Sequence, residues 1–62
     1  MLEQIVLRER FETLLGQQRD ALGRYEAAAG DTTGQTRGHL DQLCRDKKRH
    51  IQLTQRLLEI VE

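Results

Sequence analysis

The sequence predicts an all-α fold: an antiparallel two-helix hairpin, coiled-coil-like, that dimerises into a four-helix bundle. Three observations predict it. Proline is absent while Leu, Arg, Gln, Glu and Ala dominate, all of them good helix formers. A single stretch near the middle, AAAGDTTGQTRGH, concentrates glycine and threonine and interrupts the pattern. On each side of it, apolar residues recur at alternating spacings of four and three, which is coiled-coil periodicity.

The first helix is expected over residues of about 2–29. Its seam runs through Leu7, Phe11, Leu14, Gln18, Ala21, Tyr25 and Ala28, broadened by Leu15 and Leu22. Gly30 follows three alanines and reads as a C-cap glycine in the left-handed conformation. A loop over about 30–35 comes next, with Thr33 or Thr36 able to cap the second helix through a hydroxyl. The second helix, about 36–61, carries the seam Leu40, Cys44, Lys47, Ile51, Thr54, Leu58 and Val61, broadened by Leu43 and Leu57. With no third element, the two helices form one αα-hairpin spanning residues 1–62 as a single domain.

The two seams match in reverse. Leu7 would face Leu58, Phe11 Thr54, Leu14 Ile51, Gln18 Lys47, Ala21 Cys44 and Tyr25 Leu40, and the residue numbers of every pair add to the same total. One register therefore satisfies each layer. The Gln18 and Lys47 layer is polar, and a polar layer in such a core fixes register at a cost in stability.

Several large apolar residues fall off both seams. Leu2, Ile5, Val6, Leu53 and Ile60 all belong to the open end of the hairpin, where Leu57 also lies, so these six are the expected interface with another molecule. Packing two hairpins into a bundle would bury them. A chain of 62 residues has reason to recruit a partner, because it buries only about 60% of the surface its unfolded form exposes. Its one cysteine, Cys44, rules out an internal disulfide. A row of small residues, Gly16, Gly23, Ala27 and Gly30, runs along the outward side of the first helix, where it could let another helix approach closely or stand as defects tolerated in a helix held by tertiary contacts.

Residues 45–53, RDKKRHIQL, raise the question of polyanion binding. Lys47, His50 and Ile51 point toward the seam, whereas Arg45, Lys48, Arg49 and Arg56 form an outward basic stripe that could track phosphates. Ten acidic and ten basic residues cancel over the chain, however, and a neutral protein lacks the field that draws nucleic acid. Asp41 and Glu59 dilute the stripe, and no exposed aromatic is interleaved for base stacking. It reads as a solvated helix face.

Chemistry-bearing motifs are missing. GDTTGQTRG has neither the lysine of a P-loop nor a strand before it. His39, Cys44 and His50 do not have zinc spacing, so no metal or cofactor is expected, and a hairpin offers no water-excluding cleft for catalysis. No catalytic residue is assigned and no small-molecule substrate is expected. Cys44 reads as a small buried apolar group. The charged residues Glu3, Arg8, Glu9 and Arg10 argue against a signal peptide, no stretch has the ~20 apolar residues of a membrane span, and one free cysteine suits a reducing compartment. A cytoplasmic protein without membrane partners is the resulting expectation.

Lys47, Lys48, Arg49, His50, Ile51, Gln52 and Leu53, together with Arg10, Phe11 and Leu14, resemble the corresponding helices of the small YdcH-like bacterial α-hairpins. That resemblance implies a helical hairpin and no particular biochemistry. In size and layout the chain is also similar to the co-chaperones of type III secretion needle subunits, which implies an adaptor for a helical protein partner. Three functions are thus on the table: a non-enzymatic interaction module acting through self-association, a co-chaperone or adaptor, and an RNA-binding hairpin dimer using the basic stripe.

Overall fold

The computed structural model describes residues 2–61. Two α-helices, α1 (Leu2–Gly30) and α2 (Gly34–Val61), pack against each other along their lengths, and no strand occurs among the described residues. The fold is an all-α helical hairpin. It is a slender object, 50 × 14 × 10 Å in its Cα extents, so it is two helices wide and one helix thick.

Glycine chemistry at the reversal differs from the expectation. Gly30 is the last residue of α1 and does not enter the left-handed region; that conformation is taken by Gly34, φ 74°, the first residue of α2. The end of α1 is closed instead by turn bonds. Asp31 N–H donates to the Ala28 carbonyl at 3.1 Å, Thr32 N–H to the Ala29 carbonyl at 3.4 Å, and the Thr32 hydroxyl to the Ala28 carbonyl at 3.1 Å. These satisfy carbonyls that a helix end leaves without partners. The side-chain bond at the reversal thus comes from Thr32 and acts on the end of α1. With the chain turned inside Asp31–Thr33, α2 starts at Gly34, two residues before the expected 36, which leaves Thr33 immediately ahead of the helix, at the capping position, and Thr36 inside it.

Burial along α2 follows the seven residues of the predicted seam, whereas Leu43 and Leu57, expected to broaden it, are exposed. Cys44 and Thr54 are buried, and Leu40, Lys47, Ile51, Leu58 and Val61 are half-buried. Along α1 the seam is rotated. Leu15 and Ala29 are buried, with Phe11, Gln18, Ala21, Leu22 and Tyr25 half-buried, whereas Leu7, Leu14 and Ala28 are exposed. The row Phe11, Gln18 and Tyr25 is kept, but its partner row is Leu15, Leu22 and Ala29 instead of Leu14, Ala21 and Ala28. Side-chain volume accounts for the choice. The observed row sets two leucines at mid-helix, where α2 can cover them, while the alternative offers Leu14 and the smaller Ala21 there and spends Leu7 near the open end. Leu7 and Leu14, expected in the Leu7–Leu58 and Leu14–Ile51 layers, are each 40% exposed.

Little of the chain is truly interior. Leu15, Ala29, Cys44 and Thr54 are buried, whereas Leu2, Ile5, Val6, Leu7, Leu14, Leu43, Leu53, Leu57 and Ile60 are 39–78% exposed. Large apolar side chains on the surface outnumber those in the core. Exposed ion pairs add little: Arg8–Glu12 at 3.6 Å and Arg37–Asp41 at 3.9 Å are i,i+4 pairs of the kind that contributes about 0.3–0.5 kcal/mol each.

Candidate functional site: an apolar surface on a thin hairpin

The six residues expected to meet another molecule are all solvent-exposed in the hairpin, with Leu2 at 72% and Ile60 at 78% the most open. They do not form one face. A helix advances 100° per residue, and measured from the buried side of α1, Ile5 points to one flank, Leu7 and Leu14 lie on the other, and Leu2 points outward between them. Leu2, Val6 and Leu7 line a shallow apolar groove of ≈ 410 Å³ together with Glu3 and Arg10. Sequence reasoning did not place Leu7, Leu14 and Leu43 on the surface. The signal was present: both helices carry three adjacent apolar rows, and a two-helix contact can cover only two of them.

The polar layer is only half realised. Gln18 and Lys47 are both half-buried on facing rows, yet no hydrogen bond joins them, and the Gln18 Oε1 atom is buried with no hydrogen-bond partner. An unsatisfied buried acceptor costs about 1–3 kcal/mol.

The four basic residues Arg45, Lys48, Arg49 and Arg56 are exposed and occupy about a quarter of the circumference of α2. Their surroundings are mixed in sign. Arg45 donates from Nη2 to Gln42 Oε1 at 2.9 Å, and Gln42 Nε2 donates in turn to Asp46 Oδ1 at 3.0 Å. Near the loop, Arg45 and Lys48 line a groove of ≈ 360 Å³ with Glu26, Arg37 and Asp41, floored by Ala29 and Cys44. Two carboxylates thus share the space with the cations, which lowers the local potential for a polyanion.

Cys44 is a free, buried thiol, as expected. Among the described residues no group of three or more His, Cys, Asp or Glu side chains could hold a metal ion. Among the described residues no helix is long and apolar enough to cross a membrane. No family model matches the chain, and no curated protein or solved structure resembles it at a significant level.

Proposed function

We propose that this protein is a non-enzymatic interaction module that acts by helix association, and that its first partner is a second copy of itself, in a homodimeric four-helix bundle. One observation carries the reading: among the described residues nine large apolar side chains are 39–78% exposed and four residues are buried. A small protein that leaves so much apolar surface in water has an interface there. The geometry is suited to it, because a slab one helix thick gains a second layer, and with it an interior, only when another slab covers it. Formal neutrality helps, since two copies bring no net repulsion to the encounter. Sedimentation equilibrium on the purified chain at micromolar concentration tests the proposal. The expected mass is twice the 7.2 kDa of the chain; a folded species at the single-chain mass would remove it.

A further inference from the structure

We infer that the second copy covers one broad face of the hairpin, running its full length, and not the open end where the terminal apolar residues project. The inference rests on the self-association just proposed and assigns its surface. The groove near the loop fixes the geometry. Its floor pairs Ala29 of α1 with Cys44 of α2, and its walls are Glu26, Arg37, Asp41, Arg45 and Lys48. On that side of the molecule, the Leu15, Leu22 and Ala29 row of α1 therefore lies beside the Cys44, Ile51 and Leu58 row of α2, and what rises from the contact is charged. The other side must then join the Phe11, Gln18 and Tyr25 row to the Leu40, Lys47 and Thr54 row. One step further round each helix on that side come Leu7, Leu14 and Ala21 on α1 and Leu43, His50 and Leu57 on α2. The four leucines among them are 40–45% exposed. The hairpin is therefore amphipathic as a whole: one face charged, the opposite face a double row of apolar side chains contributed by both helices.

Size and charge point to a second copy as the occupant. The outline of the face, 50 by 14 Å, is about 700 Å², close to the ~800 Å² that each partner gives to a standard-size interface. Charges of both signs border it: Glu3, Arg10 and Arg24 fall on its α1 edge and Asp46 on its α2 edge. A two-fold axis parallel to the hairpin's long axis lays α1 of one copy over α2 of the other, so that the edge with Arg10 and Arg24 comes against the edge with Asp46 and no like-charged rows oppose, as an isologous contact requires. Ile5 takes no part, since it lies on the opposite flank of α1 from Leu14.

Sedimentation equilibrium on Leu14→Glu, Leu43→Glu and Ile5→Glu separates the possibilities. The expected result is a loss of dimer affinity of at least about tenfold for the first two, as for central interface residues, and an unchanged dimer for Ile5→Glu. A dimer that survives both leucine changes overturns the assigned face while leaving self-association standing. A wild-type chain at single-chain mass removes self-association itself. Because the glutamate variants could lose their fold along with their partner, the wild-type chain is read as well, with methyl labelling and a soluble gadolinium chelate: Leu14 and Leu43 methyls shielded and Ile5 methyls bleached in the dimer is the expected pattern, and the reverse pattern overturns the assignment.

Discussion

Leu14 and Leu15 are neighbours in sequence on the same helix, yet Leu15 is 7% exposed and Leu14 40%. One peptide unit, a rotation of 100°, separates the core of the hairpin from its broad apolar face. Two residues of identical chemistry are therefore placed differently, Leu15 in the contact between the helices and Leu14 on the face assigned above to the proposed dimer.

Truncation separates those contacts. Leu15→Ala removes a buried side chain and is expected to cost the fold about 2–4 kcal/mol, the range for deleting a buried leucine. Leu14→Ala is expected to cost the isolated hairpin less than about 1 kcal/mol, and to reveal its main effect only as weaker association. Urea unfolding followed by circular dichroism at two protein concentrations checks both, because a dimer's midpoint moves with concentration and a monomer's does not. Equal effects of the two truncations at both concentrations would contradict the distinction.

Gln18 invites the opposite experiment. Its Oε1 is buried without a hydrogen bond, so Gln18→Leu replaces an unsatisfied acceptor by apolar volume and is expected to raise stability by about 1–3 kcal/mol. The accompanying expectation concerns specificity. A core polar residue penalises every register but one, so the leucine variant should show broader amide resonances or a mixture of assembly states while melting at higher temperature. A lower midpoint for Gln18→Leu would mean that the glutamine oxygen finds a partner in solution.

How much of this was legible in the sequence depends on which helix is asked. On α2, the row beside the seam, Leu43, His50 and Leu57, is interrupted by a histidine and the far side holds Arg45, Lys48 and Arg49, so the seam row dominates burial, as observed, although Leu43 and Leu57, expected to broaden it, are exposed. On α1, the Leu7, Leu14, Ala21, Ala28 row and the Leu15, Leu22, Ala29 row flank the same Phe11, Gln18 and Tyr25 row and are nearly equal in apolar content. Periodicity alone cannot choose between rows that differ by one residue. The choice is tertiary, made by which side chains α2 can reach. The reversal was legible as a place and not as a mechanism: Gly30 was expected to be the left-handed residue and Thr33 or Thr36 the cap, whereas the structure uses Gly34 for the first and Thr32 for closing α1. The exposed apolar surface was foreseen at the termini, but its extension along Leu14 and Leu43 required knowing the rotation of α1.

Two glycines inside α1 offer a test that touches no contact. A Cβ placed on Gly16 or Gly23 meets nothing within 4 Å, so alanine adds helix propensity without a clash, and each substitution is expected to stabilise by about 0.5–1 kcal/mol. Gly34 is the control. At φ 74° a side chain is strained whatever the space around it, and Gly34→Ala is expected to destabilise by about 1–2 kcal/mol. Thermal midpoints read all three. Gly16 and Gly23 also lie away from the broad apolar face, so their alanine variants should dimerise as the parent does; weakened association would move the interface to the small-residue row.

The basic stripe yields the last expectation, and charge balance decides its sign. A protein that neutralises several phosphates loses affinity steeply with salt, with a slope of about 0.7 per phosphate for a single strand. Arg45, Lys48, Arg49 and Arg56 would need to act together to produce such a slope. Two of them share a groove with Glu26 and Asp41, Arg45 is already hydrogen-bonded to Gln42, and the chain as a whole has no net charge to steer a polyanion. Changing all four to glutamine removes four positive charges, and if the stripe is a solvated face the variant should bind a labelled single-stranded RNA at 50 mM salt, an illustrative low-salt condition of about the strength at which such contacts are strongest, no differently from the parent. Because none of the four lies on the broad apolar face, the same variant should keep its dimer mass. A parent that binds with a steep salt slope, lost in the glutamine variant, would instead make the stripe a phosphate-binding surface of the assembled bundle.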